Sequence, residues 1–205
     1  MLRLLSLFVA SALVALPGTV ISVAGNGTLS LGGLGAVSWT QTGTFAGVTV
    51  SAEMNNISGA GQSLSFHAYL TDAIGPGASV ADEIASTAFT IAPGFNQVVN
   101  LFQVANLGPG TYFLVIAPDG GTTPVGGWAG TSTSPTVSLG AGVVRNADRG
   151  TSGTFASYPP ATNIPALTGG SLLYSVTSAD VPEPATTALV VAGLAAIVLR
   201  RARVG

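Results

Sequence analysis

The chain has 205 residues, of which 47% are hydrophobic, with eight acidic and six basic side chains and no cysteine. A net charge of −2 without any lysine argues against a nucleic-acid partner, because a mildly acidic surface repels phosphate backbones. The absence of cysteine excludes disulfides, thiol catalysis and thiolate metal sites.

The first 24 residues have the pattern of a secretory signal peptide. Arg3 supplies a positive n-region and residues 4–16 an apolar h-region. Ser22-Val23-Ala24 fits the small-x-small rule, which predicts a cut between Ala24 and Gly25 after passage through the Sec translocon. Residues 1–24 are therefore predicted to be a helical leader. The alternative, a membrane anchor, has too few apolar residues to span well.

Residues 25–180 are predicted to form one secreted domain in which strand patterns alternate with turn residues. The clearest pattern is at 62–71, where Leu64, Phe66, Ala68 and Leu70 share one face, as in a half-buried antiparallel strand. Further strands are predicted at 28–31, 36–40, 44–53, 84–91, 97–102, 111–117, 136–144 and 172–177. Without a helical period longer than about two turns, the sequence predicts an all-β antiparallel β-sandwich of about eight strands.

Candidate catalytic groups lack partners at an informative spacing. His67 is the only histidine, and Asp72 and Glu53 are the acids that we consider as its orienters. There is no Gly-x-Ser-x-Gly nucleophile elbow and no second histidine for a zinc site. The neighbouring acids Asp82 and Glu83 diverge in an extended chain. A solvated strand histidine and a domain without enzymatic activity are the favoured interpretation, and a secreted hydrolase is the least favoured alternative.

Aromatic residues are the better candidates for ligand binding. Exposed rings stack on sugars, and Trp128, Trp39 and Tyr158 are the candidates, with Tyr69 beside them. Trp128 lies among glycines, which favours exposure. The alternative is that Trp39 fills the core together with Tyr112 and that Trp128 plugs one end of the sandwich.

The segment 146–150 has the alternating oxygen ligands of a calcium-loop fragment. No bidentate acid follows it, so Asp148 and Arg149 are interpreted as a turn. No metal and no cofactor are predicted, although the sequence leaves a structural calcium open.

The last 25 residues, 181–205, consist of three parts. Val181, Pro182, Glu183 and Pro184 form a segment that its prolines hold extended. Residues 185–199 are uncharged and predict a single transmembrane helix of about 22 Å, which is shorter than the bilayer core. Arg200, Arg201 and Arg203 in the basic tail 200–205 predict a cytoplasmic C-terminus.

This arrangement resembles the PEP-CTERM sorting signal of Gram-negative bacteria. The resemblance implies that an exosortase cleaves near Pro-Glu-Pro. The chain would then be exported, anchored transiently in the inner membrane, and placed at the cell surface or outside the cell. An ordinary tail anchor is the alternative.

A weaker resemblance involves residues 107–114, which follow a Leu-x-x-Gly-x-Tyr-x-Leu pattern seen in domains that carry this sorting signal. Such domains mostly have no assigned activity. The sequence therefore predicts a non-enzymatic extracellular domain associated with a matrix, such as biofilm or exopolysaccharide. A carbohydrate-binding module for exopolysaccharide is the alternative.

Overall fold

The structure is a computed structural model that describes residues 18–58, 61–119, 126–152 and 155–180. Strands dominate these residues, and the described helical turns are two three-residue 3₁₀ turns at Val80–Asp82 and Pro159–Ala161. In chain order the strands are β1 Gly18–Ala24, β2 Leu29–Leu31, β3 Leu34–Gln41, β4 Phe45–Asn56, β5 Leu64–Thr71, β6 Glu83–Ile91, β7 Gly94–Leu107, β8 Gly110–Pro118, β9 Gly126–Thr131, β10 Thr136–Leu139, β11 Val143–Arg145, β12 Arg149–Thr151, β13 Ser171–Leu172 and β14 Tyr174–Asp180. Among the described residues we find no helix with the length and apolarity needed to cross a bilayer.

The strands form two antiparallel sheets. The larger sheet has eight described strands in the order β10-β1-β14-β4-β9-β13, with β7 beside β4 and β2 beside β9. The smaller sheet has six, in the order β11-β3-β8-β5-β6, with β12 also beside β3. The predicted all-β antiparallel architecture is confirmed. The predicted number of strands was too low, because several strands have only two to four residues and were assigned to loops or merged with neighbours.

The main core lies between the two sheets. In the smaller sheet Phe66, Ala68 and Leu70 of β5 are buried, as the alternation predicted, and Leu64 is half-buried. The larger sheet contributes the inward side chains of β1, β4 and β14. Residues from both sheets belong to one continuous buried cluster, including Ile21, Val37, Trp39, Val48, Val50, Met54, Leu114, Ile116 and Val176. Burial of two facing apolar surfaces is what holds a sandwich together.

A second, smaller core covers the outer face of the six-stranded sheet. Ala36 on β3 and Val115 and Ala117 on β8 point away from the main core and are buried beneath Ile164. Tyr69 on β5 and Phe155 pack against this cluster. The segment after β12 therefore lies across the sheet, and this placement brings Tyr158 onto the same face as β5.

A hydrogen-bonded corner joins β7 to β8. The Tyr112 hydroxyl donates to the Gly108 carbonyl oxygen at 2.8 Å. The buried Gln41 side chain donates to the carbonyl oxygens of Leu107 and Gly108, at 2.9 Å each. The Leu-x-x-Gly-x-Tyr pattern thus has a structural role similar to the tyrosine corner of other sandwiches, in which the tyrosine hydroxyl bonds to backbone a few residues upstream.

The sheet begins before the predicted domain boundary. Residues 18–24, which the sequence analysis assigned to the leader, form β1 in the larger sheet rather than a helix. The described part of the larger sheet therefore includes residues 18–24. The remainder of the predicted leader, 1–17, and the predicted transmembrane helix, 185–199, lie outside the described residues.

Candidate functional site

The two tryptophans are buried in the core. Trp39 is 0% and Trp128 1% exposed, so neither ring offers a face to a sugar, and the predicted stacking role is wrong for both. The Trp39 indole N–H donates to Gln41 Oε1, and that of Trp128 donates to the Leu173 carbonyl oxygen at 2.8 Å. Trp128 lies on β9, a strand that is not among those predicted from the sequence.

Polar aromatic side chains meet instead on the outer face of β5. The rings of His67 and Tyr69 stack with their centroids 4.9 Å apart, and Tyr158 contacts Tyr69 edge-on at 5.5 Å. We call His67, Tyr69 and Tyr158 the aromatic patch. Tyr158 is the one ring of the three predicted for stacking that lies at the surface, and it is half-buried.

The acid beside His67 is not one that the sequence suggested. The pairing of β5 with β8 places His67 opposite Ala117, and this brings Asp119 to 4.0 Å from His67 Nδ1. Both side chains are about four-tenths exposed, and the distance exceeds that of a hydrogen bond. Among the described residues no serine or threonine hydroxyl bonds to His67. Within the described ranges, Asp72 and Glu53 are not paired with it either.

Carboxylates surround the aromatic patch. Burial, and after it the negative charge of Glu83, raises the pKa of Tyr158 to about 12. Burial also raises the pKa of Tyr69, with smaller contributions from Glu83 and Asp119. The patch therefore combines apolar ring surface with nearby carboxylates, which can accept hydrogen bonds.

All four tyrosines of the chain should ionise at higher pH in the folded protein than in the unfolded one. Burial raises the pKa of Tyr69, Tyr112, Tyr158 and Tyr174 above the ordinary value near 10. The unfolded chain thus loses these protons first, and the free energy of unfolding should fall as pH rises above about 10. Absorbance at 295 nm, titrated with and without denaturant, measures this. Superimposable titration curves would contradict the raised tyrosine pKa values. Tyr158→Phe should remove a step at high pH from the titration of the folded protein.

The segment 146–150 holds a buried ion pair rather than an open cation loop. Asp148 Oδ2 accepts a hydrogen bond from Arg145 at 2.7 Å and another from the Leu172 backbone N–H at 2.9 Å. Arg145, and not Arg149, is therefore its partner. Burial raises the pKa of Asp148, while the Leu172 N–H and the Arg145 guanidinium oppose the shift. The described residues contain no cluster of three or more potential metal ligands.

Two grooves on the described surface are small. One, of about 130 Å³, crosses the outer face of β1, β14, β4 and β7 and includes Glu53, whose pKa is raised by burial. The other, of about 160 Å³, lies between β2, β9 and β13 and is lined mainly by leucines and glycines. Pockets for drug-sized ligands have roughly 300 Å³ or more.

The C-terminal segment leaves the domain from an interior strand. β14 pairs with β1 on one side and with β4 on the other, from Tyr174 to Asp180. Val176 is fully buried, and the Ser178 hydroxyl donates to the Ala46 carbonyl oxygen at 2.7 Å. The residues that follow this strand are thus attached to the middle of the folded sheet.

Comparison with protein families matches residues 180–203, which begin at the last residue of β14, to the PEP-CTERM protein-sorting motif. The chain carries a PEP-CTERM sorting motif. Comparisons with curated proteins and with solved structures give no match.

The PEP-CTERM motif includes the predicted sorting residues Val181, Pro182, Glu183 and Pro184, together with the apolar and basic segments after them. It implies an exported protein that an exosortase processes and that is anchored in the membrane only until then. The match begins at Asp180, which is the last described residue of β14.

Proposed function

We propose that this protein is exported, held briefly in the inner membrane by residues 185–199, and released by an exosortase as a non-enzymatic domain of the extracellular matrix. The PEP-CTERM motif at residues 180–203 carries the proposal. Its position supports it further, because the motif follows β14 directly. A cut near Pro182–Pro184 therefore separates the tail from the domain without removing any strand of the sheet.

The arrangement of the polar side chains supports a role that does not involve catalysis. The histidine–acid pair is half-exposed and separated by 4.0 Å, and Oδ2 of the buried acid Asp148 accepts hydrogen bonds from Arg145 and a backbone N–H. Two antiparallel sheets with a continuous core form a stable module, and such a module suits attachment to a matrix.

Replacing Pro182 and Pro184 together with alanine should block release of the protein. Alanine removes the fixed φ angles that hold Glu183 in an extended conformation, so an exosortase would no longer recognise the segment. In a Gram-negative host that contains an exosortase, the parent protein should appear in the medium without its tail. The double variant should stay in the membrane fraction at full mass.

Thr187→Ala, which changes the same segment outside the Pro-Glu-Pro core, serves as the matched control and should be processed like the parent. The parent in a strain without exosortase should behave like the double variant. Equal masses for the parent and the double variant in the exosortase strain would refute the proposal.

Carbohydrate binding is the second candidate function, and the aromatic patch with Glu83 and Asp119 beside it favours it. Tyr158→Ala should then weaken retention on exopolysaccharide purified from the host by up to about tenfold, as expected for one aromatic contact. Phe95→Ala is the control, because Phe95 is an exposed aromatic outside the patch. Equal loss in both variants, or no loss in either, would count against a sugar site at the patch.

A further inference from the structure

β1 is hydrogen-bonded on both sides. Its residues Ile21 to Ala24 pair with β10, and Gly18 to Val23 pair with β14. In the order of the larger sheet, β10 is attached through β1 alone. Without β1, the side of β14 that faces away from β4 would become an open edge, and β10 would lose its place in the sheet. An open edge exposes unpaired N–H and C=O groups to other chains.

The inward side chains of β1 complete the main core. Val20, Ile21 and Val23 are at most 2% exposed and belong to the same buried cluster as Trp39 and Val176. Thr19 and Ala24 are exposed, so the strand has one buried and one solvated face. A chain that begins at Gly25 would leave the apolar surface beneath these three side chains uncovered.

The strand also explains the pattern that predicted a cut after Ala24. Ser22 and Ala24 lie on the outer face, and Val23 lies between them on the inner face. Small residues two apart are thus a consequence of strand alternation at this position. The small-x-small signature here does not require a peptidase to explain it.

We propose that β1 remains in the exported protein, so that removal of the leader occurs on the N-terminal side of Gly18. This inference rests on the proposed export. Residues 1–17 contain both Arg3 and the apolar run 4–16, so a leader that ends before Gly18 keeps both parts.

The position of β1 gives this cut a further consequence. Gly18 lies opposite Ser178 in the antiparallel register, so the leader and the PEP-CTERM motif join the domain at the same end of neighbouring strands. A domain tethered by either segment therefore presents the same end to the membrane. Loss of the leader before Gly18 leaves this orientation unchanged.

The N-terminal residue of the exported protein tests the proposal. The full chain is expressed with its own leader in a Gram-negative host, and the exported fraction is analysed by N-terminal sequencing and intact mass. We expect an N-terminus at or before Gly18. Ala24→Gln places a large residue at an exposed position directly before the cut between Ala24 and Gly25. We expect this variant to have the same N-terminus as the parent protein. A folded protein that begins at Gly25, or a block of processing by Ala24→Gln, would overturn the proposal.

A second pair of variants tests the buried position of β1. Ile21→Asp places a charge in the core, whereas Thr19→Asp places the same charge on the exposed face two residues earlier. Ile21→Asp should abolish accumulation of soluble exported protein, and Thr19→Asp should not. Equal accumulation of the two would contradict a core position for β1. If export fails, the protein stays inside the cell with its N-terminus at Met1 and still contains β1. If β1 is removed, the exported protein begins at Gly25. The two failures therefore give different masses.

Discussion

Trp128→Ala should lower the free energy of unfolding by about 3–5 kcal/mol, as expected for a large buried ring. Trp128 is 1% exposed and lies on β9, where it is opposite Leu31 of β2 and Met54 of β4. Its removal leaves a cavity between these strands and leaves the Leu173 carbonyl without its indole donor. Urea denaturation followed by circular dichroism measures the change.

Trp128→Phe separates the two contributions. Phenylalanine keeps most of the ring and loses the N–H, so we expect a loss smaller than that of the alanine variant. Phe95→Ala, at a side chain that is 69% exposed, should change the free energy of unfolding by less than about 0.5 kcal/mol. If Trp128→Ala behaved like Phe95→Ala, Trp128 would not be a core residue.

Asp148→Ala should lower the free energy of unfolding by about 3 kcal/mol. The Asp148 side chain is 4% and that of Arg145 20% exposed, so the variant leaves a largely buried guanidinium without its carboxylate. It also removes the acceptor of the Leu172 N–H, which ties the segment before β12 to β13. Asp119→Ala is the matched control. Its pairing with His67 is half-exposed, and we expect a loss of less than about 1 kcal/mol.

The pH dependence gives a second measurement on Asp148. Burial raises the pKa of this carboxyl in the folded protein, so above the ordinary value near 4 the unfolded chain loses its proton first. The contribution of Asp148 to the free energy of unfolding is therefore largest in acid. It falls as pH rises from the ordinary value near 4 through the raised pKa of the folded protein. Asp148→Asn should lack this part of the slope. An unchanged slope in the variant would assign the titration to other groups.

The sequence was most informative where one local pattern had one physical explanation. The period of two in 62–71 matched β5, because one face of that strand packs into the core and the other carries the exposed Ser65 and the half-buried His67 and Tyr69. The PEP-CTERM motif was also evident in the sequence, because a sorting signal is recognised as a linear segment and needs no tertiary contacts.

The glycines around Trp128 led to the wrong prediction that its side chain is exposed. Gly126 and Gly127 have φ values of +143° and +150°, a region that favours glycine, and both belong to β9. A Cβ on Gly127 would overlap the Leu31 carbonyl oxygen, and one on Gly126 would overlap that of Asn55. The glycines therefore allow close approach of backbones. Sequence alone does not separate this use of glycine from an exposed turn.

The sequence pattern did not predict contacts between distant segments of the chain. Asp148 is near Arg145 along the chain, but the Leu172 N–H that it accepts comes from another strand. Likewise, Asp119 approaches His67 only through the register of β5 with β8. In β1 the residues Ser22-Val23-Ala24 satisfied both the cleavage pattern of a leader and the alternation of a buried strand. Only pairing with β10 and β14 distinguishes the two.

The place of β14 between β1 and β4 determines how the domain resists force. Ladder hydrogen bonds are perpendicular to the strands, so a pull on residue 181 along β14 loads the bonds on both sides together, in shear. A pull between residues 18 and 180 acts on the same end of two neighbouring antiparallel strands and opens their bonds one pair at a time. A domain held by its sorting segment alone is thus loaded in its stronger direction, and one stretched between both termini in its weaker direction.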